Sequence, residues 1–476
     1  MDLSERAEPD ARIAKELEDL RNRLTGVLLE PGGEGYEEAR RIWNGMHDLR
    51  PRAIARAGSI TDIDPVLDAA RNTGLVLAVR GGGHNVAGHG SVAGGLVLDL
   101  SGLRKVTVDP ATRVVTAEPG ATLADVDRAT AEHGLAVPIG VISATGIAGL
   151  TLGGGVGWLT RSNGLTLDNL ISADVVTAAG EQLKVSEQEN PDLFWGLRGG
   201  GGNFGVVSSY TFRARPLPHP VLGGNLFYTP DHWKQALAGF AGWTADLPDE
   251  MNPIISFLCL PPEFGMGGDP WMIIGCAWAG ADHQPGLDLI EQLRKLAPPD
   301  QEEVGPVLWP EWQSAMDGLF PTGSRGYWKN VSFSRLDEEV IDVVAGFASQ
   351  VHWHGTGIDI HHLEGAFGRV PEDSTAYPNR SSRYLLNVYG FWAESKDDAR
   401  LTEFARKAHA RMQPFAEEGE YLNFLGSESG QDPEAARRTY GQDKFARLIE
   451  LKQRYDPNNL FSRNHNILPR QPQSAP

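Results

Sequence analysis

Short apolar runs closed by turn-forming residues dominate the first half of the chain. GLVLAVR (74–80), GLVLDL (95–100), KVTVDP (105–110) and RVVTAEPG (113–120) follow one another, each rich in Val and Leu and ended by Gly, Pro, Asp or a charge. Runs of this kind predict successive strands. The pattern then lengthens. TLADVDRATAEHGL (122–135) spaces its apolar residues for a helix, with Thr122 as N-cap, Asp125 at the capping-box position and Gly134 as a stop. ISADVVTAAGEQLKVSE (171–187) reads as a hairpin and GVVSSYTFRARP (205–216) as a further strand, while the first thirty or so residues form a polar, helical lead-in. Strands and helices joined by tight turns give an α+β pattern.

Prolines cluster in RPLPHP (215–220), which places a domain boundary at about residue 216. Beyond it the periods mix. PIISFLCL, WMIIGCAWAG, GIDIHH and YLLNVYGFWAE read as strands. GLDLIEQLRKLA, EEVIDVVAGFASQV and KDDARLTEFARKAHARM read as helices, and EAARRTYGQDKFARLIELKQRYDPNN (434–459) as one charged helix ending at Asp456-Pro457. No internal repeat or long low-complexity segment interrupts this order.

Composition narrows the function classes. The 476 residues carry a formal charge of −19, which argues against nucleic acid or an anionic membrane as partner. Two cysteines, Cys259 and Cys276, write neither a disulfide framework nor a cysteine zinc site and fit a reducing compartment. The first twenty residues lack the apolar core of a signal peptide, and no apolar run reaches membrane-spanning length. The expected location is the cytoplasm.

The candidate chemistry lies in glycines. VRGGGHNVAGHG (79–90) sets Gly81, Gly82 and Gly83 before His84, and GIAGLTLGGGVGW (146–158) is a second glycine-rich block. Successive residues without a Cβ can turn their N–H groups to one side and bind phosphate without a lysine. A pyrophosphate-bearing cofactor and simple tight turns both account for the blocks. Walker A is absent, and the formal G-x-G-x-x-G of Gly200, Gly202 and Gly205 runs from a helical pattern into a strand, the reverse of a dinucleotide unit. Metal binding is poorly supported. His84 and His89 are spaced at five on a loop, and adjacent residues in HHLE (361–364) point to opposite faces of a strand. No G-x-S-x-G elbow accompanies either block.

Four stretches in order resemble the berberine bridge enzyme-like FAD-linked oxidoreductases of the vanillyl-alcohol oxidase and p-cresol methylhydroxylase type, and most nearly their bacterial 6-hydroxynicotine oxidase-like branch. They are AVRGGGHNVAGHGSVAGGLVLDLS (78–101), PIGVISATGIAGLTLGGGVGWLTRSNGLTLDNL (138–170), PDLFWGLRGGGGNFGVV (191–207) and YLNFLG with YDPNNLFSRNHNI (421–426, 455–467). The likeness runs from about Tyr36 to Pro469.

It implies a lead-in (1–35), a two-part FAD-binding domain of the p-cresol methylhydroxylase type (36–215), a substrate domain with an antiparallel sheet flanked by helices (216–415), and a C-terminal segment (416–476) returning to the FAD domain. His84 matches the histidine that bonds covalently to the flavin. Gly81, Gly82, Gly83 and Asn85 match the pyrophosphate loop, and Arg80 before them is a further cofactor-binding candidate. Ser143, Ala144, Thr145, Gly146 and Gly149 match the segment along the ring and phosphates, Val207 a position near the adenine, and Asn423 an asparagine beside the flavin.

Departures from the family pattern sharpen these expectations. Ile142 stands where many relatives carry a second, cysteine attachment, so a single covalent link through His84 is expected. Asn163 replaces a tyrosine or histidine, and Phe424 replaces a tyrosine that serves some relatives as base. Thr145, small, occupies the place that controls oxygen access in plant relatives and is compatible with an oxidase. On RYLLNVYGFW, alternation puts Leu385, Asn387 and Tyr389 on one face and Tyr384 and Leu386 on the other. That face has no carboxylate. Asn387 can orient a substrate, Tyr389 could act as base only with a strongly lowered pKa, and Tyr421, retained from the Y-x-N-Y motif, completes the catalytic candidates.

The implied reaction is hydride transfer from an alcohol, sugar or secondary metabolite to the flavin, with O2 as acceptor and H2O2 as product. A hydroxyl-bearing substrate is favoured over an amine by the missing carboxylate. Trp309, Trp312, Tyr327, Trp328, Trp353 and Trp392 would suit a flat or sugar-like ligand. A dehydrogenase using another acceptor, and a flavin-binding module without redox turnover, remain the alternatives.

Overall fold

A computed structural model of the protein describes residues 3–260, 266, 268–353, 355–426 and 433–470. The ends of the expected lead-in and C-terminal segment, residues 1–2 and 471–476, lie outside them. Two larger sheets, with a two-stranded pairing of Leu135–Ala136 and Arg215–Pro216 beside them, build the N-terminal half. The first runs Val27–Leu29, Ala53–Arg56, Leu96–Asp99, Leu77–Arg80; the second runs Val106–Asp109, Val114–Ala117, Val206–Arg213, Leu170–Val176, Gln182–Ser186. Leu3–Arg23 and Ile63–Thr73 are helices whose Leu17, Leu20, Val66 and Leu67 bury against Leu96 and Leu98.

Leu77–Arg80 and Leu96–Asp99, read as neighbouring strands, pair in parallel. Parallel strands cannot be joined by a tight turn and need a long crossover. Residues 81–95 are that crossover, so the glycine–histidine stretch leaves the carboxyl end of a sheet strand. That is where open α/β sheets place their ligands.

The second sheet is antiparallel throughout, and its Leu170–Val176 and Gln182–Ser186 strands form the expected hairpin. Helix Leu123–Ala131 starts on the reciprocal Thr122–Asp125 capping box, and Gly134 follows it at φ +63°.

A seven-stranded antiparallel sheet takes its strands from residues 221–392. Its order is Gln301–Val307, Val221–Tyr228, Trp271–Trp278, Met251–Leu258, Gly357–His362, Tyr384–Trp392, Arg325–Phe333. Helices Trp233–Trp243, Gln284–Leu296, Glu338–Ala348 and Asp398–Met412 cover one face, where Phe240, Leu293, Val344 and Ala405 pack on Ile255, Ile274, Ile360, Leu386 and Val388. Tyr384, Leu386 and Val388 enter this core while Leu385 and Tyr389 lie in separate clusters, as alternation requires. The other face is left for the site.

The charged tail differs from its expected single helix. Gly441, at φ +72°, divides it into Pro433–Tyr440 and Gln442–Tyr455. Nor is its charge all solvated. Lys452 and Asp456 pair at 2.6 Å with no exposed side-chain surface, and Lys452 Nζ also donates to the carbonyls of Asn203 and Phe461, each at 3.0 Å. Because both charges have hydrogen-bonding partners, this pair ties the tail to the 200–205 turn. No helix among the described residues is long and apolar enough to cross a membrane.

Candidate functional site

A cavity of about 320 Å³ opens between the glycine loops and the uncovered face of the seven-stranded sheet. The two glycine blocks meet in it. A Cβ on Gly82 would lie 2.6 Å from both Cα and N of Gly146, so backbone rests on backbone and neither residue can carry a side chain. Gly83 adopts φ +68°, turning the chain so that the next residue, His84, enters the cavity lining.

His84 is held on both sides. Trp43 stacks on its imidazole with ring centroids 4.2 Å apart and planes 21° from parallel. The Trp43 backbone N–H donates to Gly83 O at 3.1 Å, which fixes the indole to the same loop. His84 Nδ1 lies 3.5 Å from Thr145 Oγ1, a long contact, and Nε2 is buried with no hydrogen-bond partner. Burial, with no nearby anion, pushes the imidazole pKa down to about 4. The ring is therefore neutral at pH 7, with a nitrogen lone pair to give.

The opposite wall is polar. Gly357–His362 pairs with Tyr384–Trp392 so that Asp359 lies beside Asn387, and both line the cavity with His361 and Tyr389. Asp359 Oδ1 accepts from Ser256 Oγ at 2.7 Å and Tyr389 Oη at 3.2 Å. Burial pushes its carboxyl pKa up to about 6 against the lowering effect of those two donors. The wall thus has a carboxylate after all. The strand 384–392 carries none, as its sequence shows, but its neighbour supplies one, and the argument against an amine substrate loses its basis. Asn387 Oδ1 and His361 Nδ1 are buried without partners. Burial also holds His361 at about 4. His362 points away from this wall, to Glu364 at 2.7 Å, and no cluster of metal-ligating side chains occurs among the described residues.

Arg80, Gly81, Gly82, Gly83, His84, Asn85, Thr145, Gly146, Gly149, Val207, Asn387, Tyr389, Tyr421 and Asn423 all line the cavity. Their polar groups are not all free for a ligand. Arg80 is buried and its Nη2 donates to Asp99 Oδ2 at 2.7 Å, so it braces the loop from behind. Ser143 and Ala144 are not in the lining. Ser143 N and Oγ instead both donate to the Asp317 carboxylate.

Tyr421 lines the cavity and is held to the second glycine block. Its hydroxyl accepts from the N–H groups of Gly155 and Val156 at 3.0 and 3.2 Å and from Asn423 Nδ2 at 2.9 Å, and burial raises its pKa. It anchors the second glycine block. Tyr389 is corrected as a base. Burial and the adjacent Asp359 charge hold its pKa well above 10, so it donates to Asp359 and takes no proton.

Of the six aromatics singled out, Trp328 lines the cavity and the other five do not. Trp309 and Trp312 pack beneath the second glycine block, and Tyr327, Trp353 and Trp392 belong to the helix-covered core. Trp43, Phe320 and Phe391 take their place, with Trp328–Phe391, Phe320–Phe391 and Trp43–Trp328 centroids at 4.7, 4.9 and 5.4 Å. Sequence reasoning missed Trp43 and Asp359. Alternation in GIDIHH does put Asp359 and His361 on one face, but nothing local says which strand lies beside it.

The groups present fit a dinucleotide. Two glycine stretches meet backbone to backbone at Gly82 and Gly146 in the cavity lining, and a neutral histidine with an unpartnered buried nitrogen lies beside them.

Comparison with known proteins agrees. The chain matches the family models for an FAD binding domain over residues 51–186 and for berberine and berberine-like proteins over 420–468. It is 30% identical over 460 residues to (R)-6-hydroxynicotine oxidase of Paenarthrobacter nicotinovorans, covering 94% of this chain and 97% of that one. To an FAD-linked oxidoreductase of Dictyostelium discoideum it is 29% identical over 450 residues, with 94% and 95% covered. The crystal structure of 6-hydroxy-D-nicotine oxidase from Arthrobacter nicotinovorans superposes with a TM-score of 0.84 at 26% identity, over 93% of this chain and 98% of that one. Glucooligosaccharide oxidase from Acremonium strictum, described with a 6-S-cysteinyl, 8α-N1-histidyl FAD, shares the fold at a TM-score of 0.84 and 23% identity, over 96% of this chain and 100% of that one.

Proposed function

The chain belongs to the berberine bridge enzyme-like FAD-linked oxidoreductases, and from that premise we propose that it is an oxidase. It holds FAD through one covalent bond at His84, oxidises a small organic molecule and uses O2 as acceptor, giving H2O2. The observation that carries this reading is His84 itself: a neutral imidazole, stacked on Trp43, beside two glycine blocks in backbone contact. FAD, when bound, supplies the two-electron chemistry of the reaction.

The division of labour within the chain follows from the site. The FAD-binding part, residues 36–215, and the described residues of the C-terminal segment would hold the cofactor, with Gly81, Gly82, Gly83, Gly146, Val207 and Asn423 of the cavity lining as the residues that would contact it. Residues 216–415 supply the substrate wall. Asp359 accepts the proton of a substrate O–H or N–H. With its pKa at about 6 it is ionised at neutral pH and still basic enough to take a proton, the compromise a general base needs. Tyr389 and Ser256 hold the carboxylate in place through Oδ1, and Asn387 orients the substrate. Trp328, Phe320 and Phe391 exclude water and favour a flat molecule.

A single attachment is supported by Ile142, an apolar residue in the cavity lining, and by the position of both thiols. Cys259 and Cys276 lie in the helix-covered core, where burial pushes them up to about 11 and about 12. The small side chain of Thr145 beside His84 supports access for O2.

The test is a visible spectrum before and after acid precipitation. Yellow colour should stay with the pellet and should leave it in His84→Ala. Reduction under anaerobic conditions followed by air should return the colour and release peroxide. A colourless protein that stays colourless with added FAD overturns the reading.

A further inference from the structure

On one side the cavity is separated from solvent by a short strap of chain. Residues 315–324 run from the helix Trp309–Ser314 to the strand Arg325–Phe333 and belong to no sheet. Their apolar side chains turn inward. Met316, Leu319 and Phe320 pack on the cluster that contains Trp43, Trp328 and Phe391, and Phe320 lines the cavity. Ala315, Gly318, Pro321, Thr322 and Gly323 are exposed. A single layer of chain therefore stands here between the cavity and water.

Both ends of the strap are fixed to the N-terminal half. Upstream, Trp309 Nε1 and Gln313 Nε2 donate to the buried Asp127 carboxylate, and Gln313 Nε2 also donates to Gly140 O at 3.0 Å. Downstream, Gly323 N donates to Trp43 O at 2.9 Å, Gly45 N donates to Ser324 O at 2.8 Å, and the Asn44 amide bonds both the N–H and the carbonyl of Gly326. The middle is held by less. Among the described residues, 315–322 make hydrogen bonds outside 309–324 at two points. Trp43 Nε1 reaches Phe320 O at 3.3 Å, and the Asp317 carboxylate accepts from Ser143 N at 2.8 Å and from Ser143 Oγ. The second contact is charge-assisted and uses both carboxylate oxygens, so it is the stronger. It lands on the segment whose Ile142 and Thr145 line the cavity. Gly323, at φ +91° with nothing within 4 Å of a Cβ, supplies a bend at the downstream anchor.

We propose that residues 315–322 are a gate on the cavity. Asp317, latched to Ser143, holds the gate shut with Phe320 in the lining. When the latch releases, Phe320 leaves the lining and the cavity opens to solvent, while the anchors at Asp127 and at Trp43–Asn44–Gly45 stay in place. Segments with firm ends and few contacts between them are the ones that open locally at low cost, and loops of this kind govern entry and release at enclosed sites. Asp317 is a positioning residue: it lies outside the lining and acts through the strap. The gate controls access to the cavity and does not depend on which molecule is oxidised there.

The experiment uses the yellow holoenzyme and iodide, a collisional quencher of flavin emission, at constant ionic strength so that screening is equal throughout. Iodide should quench the wild-type flavin at least about tenfold less effectively than free FAD, because the strap is shut most of the time. Asp317→Ala removes the latch and should raise the quenching constant several-fold. Asp317→Asn keeps an acceptor for the Ser143 N–H and should fall between the two. Hydrogen exchange read by mass spectrometry is the second arm. Peptides covering 315–322 and Ser143 should exchange at least about tenfold faster in Asp317→Ala, the factor expected for losing charge-assisted hydrogen bonds, while those covering 123–131 and 325–333 keep their wild-type rates. A general loss of stability would move all of them. Wild-type flavin quenched as readily as free FAD overturns the inference, and that result needs no variant to fold. So does a quenching constant left unchanged by Asp317→Ala. Either result in a yellow protein sinks the gate alone. A colourless protein sinks the oxidase reading, and the gate then stands or falls on the exchange rates.

Discussion

The indole of Trp43 lies stacked on the imidazole of His84, 4.2 Å between centroids and 21° from parallel. The indole N–H reaches across to the carbonyl of Phe320 at 3.3 Å. One residue therefore holds the proposed attachment histidine and touches the segment that brings Phe320 into the cavity. Trp43→Ala removes the face against which His84 is fixed. A near-attack geometry lost in this way costs on the order of tenfold to a hundredfold in rate. The protein should still bind FAD while covalent incorporation falls by that factor, seen as flavin released into the supernatant on acid precipitation. Unchanged covalent yield at early times would show that Trp43 does not position the ring.

Gly82 and Gly149 separate two reasons for having glycine. A Cβ on Gly82 meets the backbone of Gly146 at 2.6 Å, whereas one on Gly149 meets nothing within 4 Å and would stand in open space. Gly82→Ala should cost about 1–3 kcal/mol in stability by overpacking, measured by urea unfolding of the apoprotein. Gly149→Ala, in a helix, should leave apoprotein stability unchanged or slightly higher. Equal destabilisation by the two variants would contradict the packing seen here.

Tyr389 and Asp359 are coupled. The tyrosine's hydrogen bond is one of two that lower an acid already raised by burial. Tyr389→Phe removes a donor to the ionised form, so the Asp359 pKa should climb further above about 6. If Asp359 is the base, the acid limb of the flavin-reduction rate moves to higher pH by the same interval, measured anaerobically by loss of flavin absorbance. Movement to lower pH, or none, would take Asp359 out of the proton-accepting role.

Asp127 is buried where Trp309 Nε1 and Gln313 Nε2 reach it at 2.9 and 3.3 Å, and burial pushes its pKa up to about 7. The folded state thus holds this proton more tightly than the unfolded chain. Its stabilising effect is fully present below the unfolded carboxyl value and is lost as pH rises through about 7. Asp127→Asn keeps Oδ1 as the acceptor for Trp309, gives up the longer bond from Gln313 and removes the charge. It should stabilise the protein at pH 8 by on the order of 2 kcal/mol and have little effect at pH 4, measured by denaturant midpoints. A variant less stable at pH 8 would show that the ionised carboxylate is favoured in place.

The chain by itself determined what depends on near neighbours. Apolar runs with turn residues specified the strands from Leu77 to Ala117, and Thr122 with Asp125 specified a helix start, because capping and alternation involve residues only a few positions apart. The same alternation set Asn387 and Tyr389 on one face, and the glycine blocks and His84 marked the cofactor side. Tertiary structure alone decided which groups meet. It set Asp359 beside Asn387, laid Trp43 on His84, turned the Tyr421 hydroxyl to the backbone of Gly155 and Val156, and sent Trp309 and Trp392 into cores instead of the cavity. A side chain's facing is written in its strand, but its partner lies on another strand whose choice is a property of the whole packed sheet. The protonation of each group follows from that burial, so the carboxylate at this wall is not written in the sequence of the strand 384–392.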